Sequence, residues 1–250
     1  MTRVLRFPVE AHRSLGSTND EAFRRAQEGA PEGLVVSADH QTSGRGRLGR
    51  SWFDAVGRSL MFSILLRPRI PLQSYPLLAL ALATSVADAC GEILGEPLTI
   101  KWPNDVLHRG RKLCGILAES RSLEPGGSAA LVLGAGVNLN LLEEDFPAEI
   151  RARATSLRIA AGGREIPKEP LFEAILDQFD QEVTLTLEGD PAPLLGRVRA
   201  RLPERGARVR ILLPDRAVEG DLVEVTVAGA LRVRNAASGS VETLASGVME

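Results

Sequence analysis

Cysteine is scarce in this chain. Its 250 residues include two, Cys90 and Cys114, too few for a disulfide framework and not at the spacing of a metal site. Both stand in apolar runs and read as buried thiols, which points to a reducing, cytoplasmic compartment. Histidine is nearly as rare. His12 and His108 have no partner at catalytic spacing, and His40, beside Gln41, reads as a strand-end surface residue. No Ser-His-Asp or Cys-His arrangement suggests covalent catalysis. Neither sign of charge is in excess: the net charge of −2 gives no general case for nucleic acid as the main partner. The first seventeen residues lack the apolar core of a signal peptide. The longest uncharged run, residues 70–86, carries Pro71, Gln73, Ser74 and Pro76 and is short for a membrane span. The length suits one large domain, or one domain with a small appendage.

What the chain does have is a concentrated basic stretch, QTSGRGRLGRSW at residues 41–52. Gly44, Gly46 and Gly49 alternate with Arg45, Arg47 and Arg50, and no Asp or Glu interrupts them. Glycines let a ligand approach backbone N–H groups, and arginines present forks suited to carboxylate and phosphate oxygens. The stretch reads as an anion-binding loop, with a solvated surface turn as the plainer alternative. It literally satisfies G-x-G-x-x-G, the dinucleotide fingerprint. That fingerprint needs a helix opening at the loop and an acidic residue about 20 positions on. Here SWFDAVG and a strand follow, and the later region is LLRPR, so the dinucleotide reading fails. A P-loop fails too, for want of Gly-Lys-Ser/Thr.

The rest of the chain frames this loop. Ser17, Thr18 and Asn19 precede a helical stretch, where they would cap its N-terminus or, with spare hydroxyls, form a small polar pocket. Residues 34–38 and 59–68 read as strands, and residues 73–94 as a long core helix with Pro76 in its first turn. A strand at 98–102 stops at Pro103, a hairpin turns at Arg109-Gly110, SLEPGGS is a turn, and 129–140 is a further strand. Helices follow at 169–187 and 192–201. From Gly206 four short strands alternate with tight turns, the pattern of a small β-barrel. The fold class is α+β, a mixed, largely antiparallel sheet with helices on one face. The domain boundary falls near residues 203–206, giving 1–203 and 204–250. The basic run at 197–210 lacks aromatics for base stacking and reads as a solvated helix face and linker.

Two further constellations carry chemistry. In KWPNDV, Lys101, Asn104 and Asp105 stand at a strand end, where they would hold phosphates and Mg²⁺ or simply form a turn. Lys112 and Gly115 follow in the next strand; a side chain at Gly115 would block a close ligand. In GAGVNLN, Asn138 would offer its amide to a nucleotide or serve as an ordinary strand-end residue.

Taken together, Ser17-Thr18-Asn19, QTSGRGRLGRSW, KWPNDV, RKLCGIL and GVNLN, with Ser156-Leu157 in RATSL, resemble the biotin protein ligases in motif and order over nearly the whole chain. The resemblance implies a class II synthetase-like catalytic domain and a C-terminal SH3-like barrel. It implies that biotin and MgATP give biotinyl-5′-AMP, and that the biotinyl group then passes to a lysine of a biotin carboxyl carrier domain. By that resemblance Ser17, Thr18, Asn19 and Gln41 contact biotin, while Gly44, Arg45, Gly46 and Arg47 close over biotin and the adenylate. Lys112 stands at the carboxylate–phosphate junction and Gly115 forms pocket wall. Arg50, Trp52, Lys101, Asn104 and Asn138 serve the nucleotide. Arg47, Lys112 and Asp105 carry the chemistry, Asp105 either orienting the acceptor lysine or binding metal. Homodimerisation is expected on the same ground. Only about sixteen residues precede Ser17, so the expected type is monofunctional, without a DNA-binding domain. The rivals are a lipoate-protein ligase of the same fold and a non-enzymatic module binding protein or RNA.

Overall fold

The structure is a computed structural model describing residues 7–123 and 129–250; most of the expected SLEPGGS turn lies outside the described residues. The eight residues of β3 (Ser59–Leu66) are all buried, so this strand must be covered on both faces. Its partners are β1 (Val9–His12), β2 (Val35–Ala38), β4 (Thr99–Lys101), β5 (Asp105–His108), β6 (Arg111–Ser122) and β7 (Ala129–Asn138). They form one sheet in the order β1-β2-β3-β7-β6-β5-β4. Only β1 and β2 pair in parallel; the other pairs are antiparallel. The hairpin between β5 and β6 turns on Arg109 (φ 48°) and Gly110 (φ 78°), the left-handed pair of a two-residue turn. β1 was not legible, because an edge strand reading VEAH has little apolar content.

Side chains alternate between the two faces of a strand. Leu60, Phe62, Ile64 and Leu66 of β3, Leu131, Leu133, Ala135 and Val137 of β7, and Cys114 and Ile116 of β6 share one core with α2 (Tyr75–Leu94) and α5 (Lys168–Leu187). α2 is long and apolar enough to cross a membrane, and its buried residues form the centre of this core. On the opposite face Leu65, Ala130 and Val132 pack against Ala22, Phe23 and Ala26 of α1 (Thr18–Gln27). Helices therefore cover both faces, a correction to the expectation of one, and the reason is visible in β3 and β7: both are apolar at each parity. Along the α1 face the side chains then shrink. Ser63 pairs with Gly134, and Gly136 lies between Met61 and Gly115. Among the described residues no core side chain fills the hollow they leave.

The chain continues through α3 (Ala148–Arg151), α4 (Leu157–Ala160), α5 and α6 (Ala192–Arg199). Ser156 caps α4, its Oγ accepting from Ile159 N (3.1 Å) and donating to Leu141 O (2.6 Å). A second, antiparallel sheet follows: β8 (Arg208–Leu212), β9 (Ala217–Val225), β10 (Leu231–Asn235), β11 (Val241–Leu244) and β12 (Val248–Met249), ordered β11-β10-β9-β8-β12. It has five strands where four were expected, since two-residue β12 leaves no periodic signal. The basic run before it is also reinterpreted. Arg197 pairs with Asp88 and Glu182, and Arg201 pairs with Asp88, so these arginines tie helices together instead of facing solvent freely. Trp102 joins the two sheets: its Nε1 donates to Gly229 O (3.0 Å), and its carbonyl accepts from Met249 N (3.3 Å).

Candidate functional site

The hollow on the α1 face is where the sequence motifs meet. Ser17 occupies the N-cap position of α1 without making a side-chain cap bond. Gln41 does that work from across the sheet: its Oε1 accepts from Thr18 N (2.8 Å) and Thr18 Oγ1 (3.1 Å). Ser63 Oγ lies within hydrogen-bonding distance of Thr18 Oγ1 (2.7 Å) and Asn19 Oδ1 (2.6 Å). Asn19 Nδ2 donates to Glu119 Oε2 (2.7 Å). A Cβ on Gly134 would come 2.2 Å from Asn19 Oδ1, so the glycine is what lets the amide lie on the sheet. Gln41 is set from behind by Asp54, whose Oδ2 accepts from Gln41 N (3.4 Å) and lies 3.0 Å from His40 Nδ1. His40 stays partly exposed just past the end of β2 while it supports Asp54, and His108 is buried against Glu96 (2.8 Å).

The glycine–arginine loop closes on itself. Trp52 N donates to Gly44 O (2.9 Å) and Gly46 N to Arg50 O (2.7 Å). Between them residues Arg47–Gly49 make a single tight turn. No α-helix opens there, in agreement with the rejected dinucleotide fingerprint. Trp52 lays its indole on the glycine floor: a Cβ on Gly136 would sit 2.4 Å from its Cε2, and one on Gly115 would sit 3.0 Å from its Cζ3. Its Nε1 is buried without a hydrogen-bond partner among the described residues. Lys112 Nζ stands 5.5 Å from the Trp52 ring centroid, within cation–π range, and 2.7 Å from Asp105 Oδ1.

Arg47 Nη1 donates to Asn104 Oδ1 (3.1 Å) and to Gly247 O (3.0 Å), while Asn104 Nδ2 donates to Ile116 O (2.6 Å). Burial lowers the Arg47 pKa from the ordinary arginine value, which still leaves it a cation at neutral pH. Arg47, Arg50 and Lys112 line one end of the hollow with Asp105, the one carboxylate in its lining among the described residues. The hollow therefore has a neutral end of hydroxyls and amides and a cationic end. Nucleophilic thiol chemistry is excluded: Cys90 and Cys114 are buried, and burial pushes the Cys90 thiol up to about 12.

Thirteen of the sequence candidates line this hollow: Ser17, Thr18, Asn19, Gln41, Arg45, Gly46, Arg47, Arg50, Trp52, Asn104, Asp105, Lys112 and Gly115. Three do not. Gly44 is buried behind the loop, against Gln41 and the Trp52 carbonyl. Lys101 ends β4 outside the lining. Asn138 is buried, its Nδ2 donating to Thr155 O (2.9 Å) and Lys112 O (3.3 Å), so it fastens β7 to its neighbours. Arg45 lines the hollow, yet its guanidinium is spent on Asp20 (2.8 Å). Sequence reasoning missed Ile116, Leu117, Gly134, Ala135, Gly136 and Val248 in the lining. The two-residue spacing of glycines in GAG was a usable signal; Val248 left none.

Residues 12–138 match the biotin/lipoate A/B protein ligase family. The chain belongs to this family. Among relatives, a bifunctional ligase/repressor BirA of Bacillus subtilis is 41% identical over 72% of this chain and 55% of its own length. A second BirA, from Bacillus spizizenii, is matched over 51% of its length, so this ligase-family chain spans about half the length of these relatives. A biotin–[acetyl-CoA-carboxylase] ligase of Mycobacterium tuberculosis is 35% identical over 80% of the chain and 72% of its own length. The fold of the family recurs in a solved biotin protein ligase from Aquifex aeolicus in complex with biotin and ATP, at a TM-score of 0.80, 28% identity and 97% coverage of both chains.

Proposed function

We propose that this protein is a biotin protein ligase. It would activate biotin with ATP and transfer it to a lysine of a biotin carboxyl carrier domain. The observation that carries this reading is the two-ended hollow, with Thr18 and Gln41 at the neutral end, Arg47 and Lys112 at the cationic end, and a glycine floor between. A ureido ring is neutral and hydrogen-bonds on both sides, which suits hydroxyl and amide partners. A carboxylate and a triphosphate are both anions and need cations to approach each other.

In the first step a biotin carboxylate oxygen bonds to the α-phosphorus, and the bond from that phosphorus to the leaving pyrophosphate oxygen breaks. Lys112 and Arg47 would hold the two anions together and stabilise charge in the transition state, so positioning and electrostatics supply the catalysis. Arg50, exposed at the rim, would meet the outer phosphates. Trp52 offers a flat apolar face and an unused N–H donor to the nucleotide. In the second step the acceptor amine attacks the acyl carbon, AMP leaves, and the amine loses a proton. Asp105, which lines the hollow from β5, would orient that amine.

Mg²⁺ fits only in a limited way. It takes oxygen ligands and often relies on substrate phosphates. Asp105 is the one lining carboxylate among the described residues and is already paired with Lys112, so the protein would offer one oxygen, and the nucleotide phosphates and water the rest. When bound, the ion supplies neutralisation of the triphosphate. The buried thiols support a cytoplasmic setting; a homodimer rests on the resemblance alone, and the expectation of no DNA partner rests on the near-neutral net charge. A domain boundary between residues 203 and 206 is supported by the second sheet beginning at Arg208.

The test is ATP–pyrophosphate exchange with biotin or lipoate as stimulant, followed by transfer to a carrier domain read on an avidin blot. Biotin-dependent exchange and labelling are expected. Stimulation by lipoate and not by biotin would overturn the reading, and absence of both would favour a non-enzymatic module.

A further inference from the structure

Arg45 lies in the middle of the anion loop, yet its guanidinium turns away from the cationic end of the hollow. It forms a two-pronged pair with Asp20 on the first turn of α1 (Nη2 to Oδ1, 2.8 Å) and approaches Glu119 on β6 (3.5 Å). Arg121 donates to the same Asp20 Oδ1 (3.1 Å) and covers the Phe23 ring at 4.1 Å. Glu119 also accepts from Asn19 (2.7 Å). Isolated exposed ion pairs contribute little, but a bidentate fork inside a multi-charge network is the favourable case. The two arginines hold the Asp20 carboxyl below its usual range.

The loop transmits this anchor. Arg45 is bridged to Ser51 across the loop, and Gly44 O accepts from Trp52 N. Fixing Arg45 therefore fixes both arms, including Trp52 on its glycine floor and Arg47 beside Asn104. Asp20 also belongs to the helix that presents Thr18 and Asn19. One carboxylate thus links the neutral end of the hollow to the loop that closes the cationic end.

We infer that Asp20 is a positioning residue. It holds Arg45 against α1 so that the loop stands preformed over the substrate, and Arg45 acts as a latch, not as a direct anion contact. The inference rests on the ligase reading for its kinetic consequence, but the latch itself has a readout that needs no substrate.

That readout is amide hydrogen exchange across residues 44–52 in the wild type, Asp20→Asn, Arg45→Gln and the double variant. Loss of a networked pair predicts about fivefold to tenfold faster loop exchange in Asp20→Asn, unchanged exchange in β3 and β7, and no further gain in the double variant over Arg45→Gln. In the pyrophosphate-exchange assay, Asp20→Asn should raise KM for biotin by a similar factor of about five to ten with kcat nearly unchanged, and Asp20→Glu should recover most of it. Unchanged loop protection in Asp20→Asn would overturn the latch. So would a KM left unchanged or lowered by Asp20→Asn but raised by Arg45→Gln, the pattern of an arginine that binds substrate directly. If the wild type shows no biotin-dependent exchange, the ligase reading falls, and loop protection still decides the latch.

Discussion

Replacing Arg47 with alanine is expected to lower biotin-dependent ATP–pyrophosphate exchange by about 100- to 1000-fold, the cost typical of removing one preorganised donor from a developing charge. The structure explains why this arginine should weigh more than its neighbours. Arg45 is committed to Asp20 and Arg50 is exposed at the rim, whereas Arg47 is partly buried and aimed by Asn104 and Gly247. A buried cation acts through a lower effective dielectric and is screened less by salt. The same substitution removes a tie between the loop and the C-terminal sheet, so any adenylate that still forms should escape into solvent. Exchange rate and retained adenylate after gel filtration measure the two effects separately. Wild-type values of both would refute the role given to the loop.

Gly115→Val should weaken biotin binding by about 10- to 100-fold, the range expected from overpacking a close contact. Already a Cβ there would come 2.9 Å from Lys112 Nζ and 3.0 Å from Trp52 Cζ3, and valine adds two methyls beyond it. Both neighbours must move, and they are the lysine proposed to hold the reacting anions and the ring that caps the floor. The fold should survive, because valine suits a strand and the added bulk points into the hollow and away from the core. Calorimetric affinity with an unchanged melting temperature is the expected pair of results. Unchanged affinity would remove Gly115 from the pocket wall.

Much of this site was legible because its motifs are local. The loop reveals itself by seven residues of alternating glycine and arginine, and the hairpin by Arg109-Gly110. The strands beneath reveal themselves by apolar content. What stayed hidden is what only long-range packing creates. Gln41, and not Ser17, supplies the acceptor at the start of α1, from 23 residues away. Ser63 reaches Thr18 and Asn19 across more than forty residues. Gly247 meets Arg47 across 200. Such pairs leave no periodicity in the sequence. Asn138 is ambiguous for a related reason: an amide at a strand end looks the same in sequence whether it faces a ligand or, as here, donates to two backbone carbonyls. The second helix-bearing face went unread because buried strands such as SLMFSILL are apolar at every position.

The alternation in β6 and β7 has a consequence for how the protein can go wrong. The same strands that send Cys114, Ile116, Ala135 and Val137 into the core send Gly115, Gly134 and Gly136 to the other side. Slipping β7 by one residue would swap the β7 members of the two sets, placing Gly134 and Gly136 beneath α2 and Ala135 and Val137 where the indole of Trp52 must lie. A misregistered sheet would lose its hydrophobic packing and its ligand space together. Proofreading of the cavity is therefore built into the stability of the core: a molecule that has sealed its interior around α2 has, by the same act, cleared the ground on which a substrate can sit.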